Sequence, residues 1–208
     1  MKIIDNIDIH QGPLGLALSG GADSAILAYI LLTNTTYRIN LYSFISEGKK
    51  HFQEPTVNRL VQKLTSLTGN NNIEHYPIYI QQQKPLLIHA MMKSFIQQHS
   101  LNIMYTGMTK FPEDTVIDQF SDDIRLSDPY GYSQRRNDRQ HSVYFDQNFY
   151  RPFANNDKTY IKDLYKKYNL EHDLFVYTRS CETPESPDKH CGKCFWCEER
   201  HWAFGYLE

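Results

Sequence analysis

Four short apolar runs, separated by longer segments with helical spacing of apolar residues, dominate the first half of the chain. The runs have the length of buried strands, and the segments between them have the length of helices. The predicted strands are Leu14–Leu18, Ile39–Phe44, His75–Ile80 and Asn102–Thr106. Strands that alternate with helices indicate an α/β fold in which helices flank a parallel sheet.

The segments that follow three of these strands predict helices. Ser24–Thr33 is apolar on all sides and is expected to be buried, whereas Pro55–Thr68 and Pro85–His99 concentrate their apolar residues on one face. A late helix is predicted after Asn155, because apolar residues recur there at helical spacing and Asn156 or Asp157 can cap its start.

From Glu113 to about Asn148 the apolar periodicity fails. So long a polar segment in a compact enzyme is typical of a lid, of a disordered stretch or of a solvated loop. Arginine and aromatic side chains interleave in it, which makes it a candidate to close over a phosphate or to stack on a base. They are Arg125, Tyr130, Tyr132, Arg135, Arg136, Arg139, Tyr144 and Phe145. We predict a main domain over residues 1–170, with 113–148 as its insertion or lid, and a C-terminal element over 171–208.

A glycine turn joins the first predicted strand to the first predicted helix. It reads Ser19-Gly20-Gly21-Ala22-Asp23-Ser24. Both glycines are expected to let the backbone turn with positive φ, so that N–H groups and the helix dipole face one anion. The string lacks the lysine of a Walker A loop and the spacing of a Rossmann fingerprint. The alternative is an ordinary loop in which Asp23 or Ser24 caps the helix.

Composition narrows the class of protein. The 208 residues, 40% of them hydrophobic, suffice for one domain with a small additional module. A net charge of −2 gives no general attraction to polyanions, so a nucleic-acid contact would have to be a local patch. No segment has the length of a membrane span and the first residues do not resemble a secretion signal, so we expect a cytoplasmic protein without membrane contact.

All four cysteines lie near the C-terminus. In a cytoplasmic protein such clustering favours a metal over disulfides. Four thiolates suit zinc in a closed structural site, while an iron–sulfur cluster or disulfides stay open as alternatives. His190 and His201 are nearby substitutes for a ligand. The predicted ligands are Cys181, Cys191, Cys194 and Cys197.

Two motifs carry a resemblance to a known family. The string at Ser19–Ser24 closely resembles the signature of the PP-loop ATP pyrophosphatases, which cleave ATP between the α- and β-phosphates. The cysteine motif, with Ser180 before it and Arg200 after it, is similar to the zinc element of the 7-cyano-7-deazaguanine synthase branch, as is the segment Ser43–His51. The resemblance implies an adenine nucleotide α-hydrolase-like, Rossmann-like fold, ATP as substrate, Mg²⁺ at Asp23 and structural Zn²⁺.

The resemblance also assigns roles to residues. Lys158 is implied at a helix N-terminus facing the phosphates, and strand ends are implied to contact adenosine. The implied catalytic residues are Ser19, Asp23, Ser24 and Lys158. The implied nucleotide-binding residues are Leu18, Gly20, Gly21, Phe44 and Gly107.

The implied reaction is adenylation of a carboxyl or amide oxygen by ATP, with release of pyrophosphate and then AMP. In the synthases this converts 7-carboxy-7-deazaguanine and ammonia to the nitrile, so a small carboxylate and ammonia are implied partners, and a homodimer is left open. The segment Gly107–Thr115 lacks the cysteine and arginine of their substrate motif. Two alternatives stay open: a related adenylating enzyme that modifies a nucleic-acid base or a protein, and a non-catalytic nucleotide-binding zinc module.

Overall fold

A six-stranded sheet with helices on both faces forms the body of the molecule. The computed structural model describes residues 2–46, 53–81, 85–120, 143–181 and 189–207. A small antiparallel hairpin precedes the sheet, with strands β1 (Lys2–Ile4) and β2 (Ile7–Ile9). The strands of the main sheet are β3 (Leu14–Ala17), β4 (Ile39–Ser46), β5 (Ile73–Ile80), β6 (Ile103–Thr106), β7 (Tyr144–Asp146) and β8 (Phe149–Tyr150).

The sheet has the order β5-β4-β3-β6-β8-β7, and its first five strands are parallel. The edge strand β7 runs antiparallel to β8. After β3 the chain adds β4 and β5 on one side and then returns to place β6 on the other side. Such a reversal opens a crevice at the carboxyl ends of the strands, where open α/β sheets bind ligands.

The described helices are α1 (Ala22–Asn34), α2 (Gln53–Thr68), α3 (Pro85–Gln98), the single-turn α4 (Asp114–Ile117), α5 (Lys158–Lys167) and α6 (Phe195–Phe204), with a 3₁₀ turn at Phe175–Tyr177. The apolar spacing predicts α1, α2, α3 and α5, and it does not predict α4 or α6. The side chain of Asp157 caps α5 by accepting from the Thr159 N–H at 2.9 Å. The predicted α/β fold, with a parallel sheet flanked by helices, is confirmed.

Two apolar cores hold the layers together. The larger one joins α1, α2, α5 and α6 to one face of the sheet, and it includes Ile26, Leu60, Tyr165 and Phe204. The smaller one packs α3 against the other face through Met92 and its neighbours. Because Phe204 shares a core with Tyr165, the cysteine-bearing helix α6 packs directly on α5.

The predicted insertion over 113–148 is only partly described. Its first residues form α4, and its last residues form β7 and lead into β8. Residues 121–142 lie outside the described part of the chain, and six of the eight arginine and aromatic residues that we singled out lie there. Tyr144, in β7, donates its hydroxyl to Asp8 of β2 at 3.2 Å, so the end of the segment is tied to the N-terminal hairpin. The sequence did not predict that hairpin or the pair β7–β8.

Candidate active site

The glycine turn after β3 has the backbone conformation of an anion-binding loop. Gly20 has a φ of +88°, which glycine adopts without strain, and a Cβ there would lie 3.3 Å from the Thr56 side chain. Gly21 has a φ of −80° and precedes the first turn of α1. The expectation of positive φ was therefore right for Gly20 and wrong for Gly21, because a single left-handed residue suffices to reverse the chain here.

The two serines of the loop bond to each other and to Gly21, whose N–H donates to the Ser19 hydroxyl at 3.3 Å. The Ser24 hydroxyl accepts from the Ser19 N–H at 3.2 Å and lies 3.1 Å from the Ser19 hydroxyl. It also donates to the Gly21 carbonyl at 3.2 Å. Gly21 is the N-cap of α1, and no side chain caps the helix there, so capping by Asp23 or Ser24 was the wrong alternative. The first-turn N–H groups of a helix such as α1 have no acceptor within the helix, and groups of this kind commonly bind an anion.

Lys158 reaches the loop from α5 and lies between two carboxylates. Its Nζ donates to Asp23 Oδ2 and is 3.8 Å from Glu199 Oε2 on α6. The Lys158 side chain is 8% exposed and that of Glu199 is 1% exposed, so this is a buried charge cluster. Burial by itself would lower the pKa of Lys158, but the carboxylates of Asp23 and Glu199 outweigh it and raise the pKa above its ordinary value. The ammonium therefore stays charged at neutral pH.

Only one of the two carboxylate oxygens of Asp23 has a hydrogen-bond partner among the described residues. While Oδ2 accepts from Lys158, Oδ1 is buried and has no hydrogen-bond partner among the described residues. A buried carboxylate oxygen is a hard ligand of the kind that Mg²⁺ prefers. The residues present at the loop thus fit a divalent cation.

A first cavity of about 350 Å³ opens beside the loop on the side of β4. Its cationic walls are Lys158 and Arg179, and the backbone of Arg179 is fixed to the loop by an N–H that donates to the Gly20 carbonyl at 2.8 Å. Apolar walls come from Leu18, directly after β3, and from Phe44 of β4. Of the predicted nucleotide-binding residues, Leu18, Gly21 and Phe44 line this cavity.

A second cavity of about 370 Å³ opens on the side of β6, at the point where the strand order reverses. It shares Ser19, Asp23 and Lys158 with the first cavity. Gly107, a predicted nucleotide-binding residue, lines this second cavity and not the first. The other walls come from Thr106 at the end of β6, from Met108 and Phe111 in the segment after it, and from Glu199 and Trp196 of α6, and Trp196 also lines the first cavity.

The four cysteine sulfurs form one cluster. None of the four forms a disulfide, and their sulfur atoms lie within 4.8 Å of one another. In a tetrahedral site with Zn–S bonds of about 2.3 Å, sulfurs are about 3.8 Å apart, and Cys191 Sγ and Cys197 Sγ lie at 3.9 Å. The cluster therefore has the composition and spacing to bind a metal ion. His190 takes another role, because burial lowers its pKa to about 4 and its neutral Nε2 accepts from the Ser180 N–H at 3.3 Å.

Arg200 ties the cysteine helix to the wall of the first cavity. Its guanidinium is buried, lies 3.7 Å from the Phe175 ring, and donates to Thr178 Oγ1 at 2.9 Å and to the Leu207 carbonyl at 2.7 Å. The segment that it holds continues through Arg179 and Ser180 to Cys181, which lines the first cavity. The cysteine cluster and the glycine turn thus share one supporting segment.

Sequence reasoning missed three residues of this site: Arg179, Trp196 and Glu199. Each is adjacent or close to a predicted cysteine ligand, and no local pattern marks it. Their position beside the loop depends on how α6 packs on α5.

None of the described helices has the length and apolar character needed to cross a bilayer.

No protein-family model matches the chain, and no curated protein matches it. Several solved structures align with it, including the following two. One is a 4-thiouridine synthetase in complex with RNA and bound ATP, 17% identical over 86% of this chain and 47% of that one, with a TM-score of 0.49. The other is the U34-tRNA thiolase NcsA from Methanococcus maripaludis with its 4Fe–4S cluster, 13% identical over 95% of this chain and 72% of that one, with a TM-score of 0.48. This chain spans about half the length of the synthetase.

Proposed function

We propose that the protein is an AMP-forming enzyme of the PP-loop ATP pyrophosphatase type, which adenylates an oxygen atom of an acceptor molecule. The single observation that carries this proposal is the convergence of Gly20, Asp23 and Lys158 at the N-terminus of α1. A glycine turn at a helix N-terminus, with a buried ammonium and a carboxylate oxygen that has no hydrogen-bond partner among the described residues, is suited to a triphosphate with its cation.

The first cavity is the proposed ATP site. Its charged walls attract phosphates, and its apolar walls at Leu18 and Phe44 suit the adenosine. The N–H groups of Gly20 and Gly21 and the hydroxyls of Ser19 and Ser24 would hold the β- and γ-phosphates. Arg179 would add a planar guanidinium, which matches phosphate geometry in a bidentate contact.

Asp23 Oδ1 would be the protein ligand of a Mg²⁺ ion. When bound, the cation supplies charge neutralisation of the phosphates and holds them in one geometry. Without it the carboxylate of Asp23 would repel a triphosphate, so the loop sequence and the cation belong together. Lys158 would stabilise the charge that develops as pyrophosphate leaves.

The proposed chemical step needs no side-chain nucleophile. An oxygen lone pair of the acceptor forms a bond to the α-phosphorus, while the bond from that phosphorus to the bridging oxygen breaks and its electrons leave with pyrophosphate. A nucleophile such as ammonia then displaces AMP from the activated acceptor. The residues of the chain contribute position and electrostatic stabilisation.

The cysteine cluster would hold Zn²⁺ in a structural role. Four thiolates close a tetrahedral site and leave no open position for catalysis. A 4Fe–4S cluster takes the same four ligands. The two metals are distinguished by elemental analysis and by the visible absorbance that only the iron–sulfur cluster has.

Two acceptors are proposed. The first is 7-carboxy-7-deazaguanine with ammonia, which the resemblance of the cysteine motif supports. The second is a base in RNA. It is favoured because the segment after β6, where the synthases have their substrate motif, contributes Met108, Thr109 and Phe111 to the second cavity and no cation that would pair with a carboxylate.

The test is release of pyrophosphate and AMP from MgATP in the presence of each acceptor, followed by mass spectrometry of the acceptor. Ser19→Ala and Asp23→Asn should abolish release while the fold is retained, because Asn keeps the volume of Asp and Glu199 still pairs with Lys158. Ser94→Ala on α3 and Asp163→Asn on α5 are matched controls outside the site. Binding of ATP without pyrophosphate release under every condition would favour the non-catalytic module, and wild-type turnover in either loop variant would refute the assignment.

A further inference from the structure

The two cavities that share Asp23 and Lys158 have opposite net charge. Among the described residues, the charged groups that line the first are Asp23, Lys158 and Arg179, so cations outnumber anions by one. In the second, Glu199 takes the place of Arg179, so anions outnumber cations by one. The guanidinium of Arg200 donates to Thr178 and Leu207 and lines neither cavity.

The walls of the second cavity suit a flat ring. Phe111 and Trp196 lie on it with ring centroids 6.3 Å apart, and Met108 adds a polarisable apolar surface. Thr106 Oγ1 is buried and has no hydrogen-bond partner among the described residues, which leaves a hydroxyl for a polar group of a ligand. The volume of about 370 Å³ lies in the usual range for small-molecule sites.

We infer that the second cavity binds the acceptor, and that this acceptor is a flat, uncharged heterocycle with a carbonyl oxygen. The inference rests on the proposed adenylation, and it names the substrate class for that reaction. A triphosphate in the first cavity keeps a net negative charge even with its Mg²⁺ counted, so a carboxylate in the second cavity would face that charge together with Asp23 and Glu199, against the one ammonium of Lys158. Like charges placed together in a site of low dielectric are strongly disfavoured, whereas a neutral carbonyl avoids this repulsion.

Adenylation of such an acceptor forms one bond to phosphorus, breaks one, and releases one proton. The carbonyl oxygen donates a lone pair to the α-phosphorus, and pyrophosphate leaves with the electrons of the bond that breaks. The adenylated ring is then cationic until the neighbouring ring nitrogen loses its N–H proton to water, which restores a neutral ring that carries O-linked AMP. A free nucleobase-like compound and a base of an RNA strand share this chemistry.

Direct binding tests the charge preference without any turnover. The probes are 7-amido-7-deazaguanine, which is neutral, and 7-carboxy-7-deazaguanine, which has the same ring and one negative charge. Each is titrated into the protein with Mg²⁺ and α,β-methylene-ATP, with tryptophan fluorescence as the signal because Trp196 lines both cavities. We expect the neutral probe to bind about tenfold more tightly or better. Equal or tighter binding of the carboxylate would overturn the inference.

Two variants each make the net charge of the second cavity less negative. Glu199→Gln removes an anion without changing volume, and Met108→Lys adds a cation at a side chain that is 42% exposed and tolerates substitution. Each should shift the preference toward the carboxylate by about tenfold. Glu74→Gln, on the far edge strand β5, is the matched control and should leave the preference unchanged. Should Glu199→Gln fail to fold, Met108→Lys gives the same readout, and an unchanged preference there would contradict the charge argument.

Turnover separates this inference from the proposed function. If the neutral probe binds better but no acceptor stimulates pyrophosphate release, the cavity assignment stands and the adenylation is wrong. If release occurs and the carboxylate is the better substrate, the adenylation stands and the substrate class is wrong. An unmodified oligoribonucleotide and the free neutral base are compared in the same assay, and stimulation by either supports the inference and identifies the source of the ring.

Discussion

Gly107 lies so close to the first turn of α1 that a Cβ atom there would be 2.7 Å from the backbone nitrogen of Ser24. The contact is with backbone, which cannot move aside as a flexible side chain can. The absence of a side chain at Gly107 therefore sets the distance between the end of β6 and the anion-binding loop. Since both line the second cavity, the width of that cavity depends on this glycine.

Gly107→Ala should damage the site and lower stability together. Forcing a methyl group into well-packed backbone costs about 1–3 kcal/mol, measured as the free energy of unfolding in urea. Gly69→Ala is the control, because φ there is +62° and a Cβ meets nothing within 4 Å, so it should cost about 1–2 kcal/mol through backbone strain alone. Only the Gly107 variant should reduce ATP-dependent pyrophosphate release, and an equal loss in both would show that stability alone is responsible.

Lys158→Met should strongly destabilise the protein and abolish pyrophosphate release. The substitution leaves the buried carboxylates of Asp23 and Glu199 without their ammonium, and breaking a buried ion pair costs about 3–5 kcal/mol. Lys166→Met, on the exposed face of the same helix, should stay within about 0.5 kcal/mol of wild type. Similar unfolding free energies for the two variants would contradict the ion-pair cluster.

The contribution of Lys158 to stability should be insensitive to pH across the neutral range. Its pKa is raised in the folded state, so the stabilisation is fully present below the unfolded pKa and is lost only as pH rises through the higher folded pKa. The difference in unfolding free energy between wild type and Lys158→Met should therefore be constant from about pH 7 to about pH 9 and decrease only at more alkaline pH. If the difference in unfolding free energy between the two proteins were already lost at neutral pH, the pKa of Lys158 could not be raised in the folded state.

The parts of the fold that local patterns encode were predictable. The apolar runs at Leu14–Leu18 and Ile39–Phe44 are strands because buried parallel strands are apolar on both faces, and the capping residue Asp157 marks the start of α5. The loop at Ser19–Ser24 was recognisable because it combines glycines, hydroxyls and a helix start. The conformation of Gly21 was not, since either of two neighbouring glycines can supply the one positive φ.

The rest of the candidate site depends on packing between distant parts of the chain. Glu199 reaches Lys158 only because α6 packs on α5, and Arg179 reaches Gly20 only because Arg200 holds the segment before Cys181. No spacing along the sequence encodes these contacts. The hairpin β1–β2 was missed for another reason, because two three-residue strands are too short to show a period.

Arg200→Lys should loosen the wall of the proposed ATP site, the first cavity, even though the charge is kept. The guanidinium donates to the Phe175 carbonyl, Thr178 Oγ1 and the Leu207 carbonyl, and an ammonium cannot reproduce this planar set of donors. Unpaired buried groups cost about 1–3 kcal/mol each, so a loss of a few kcal/mol in unfolding free energy is expected. Arg38→Lys, at an exposed ion pair, should be nearly neutral. Wild-type stability in Arg200→Lys would show that the network contributes little.

Cys194→Ser should lose the metal first and ATP binding as a consequence. Removing one of the four thiolates leaves the metal with an incomplete set of ligands. Because metal binding stabilises the fold of such elements, loss of the metal also lowers the free energy of unfolding. The loss of stability should also affect the first cavity, because Cys181 lines that cavity and α6 positions Glu199 beside Lys158. Metal content, melting temperature and the dissociation constant for MgATP are the three measurements, with Ser94→Ala as the control. A variant that holds no metal yet melts and binds MgATP like wild type would mean that the loop is assembled without the cysteine cluster.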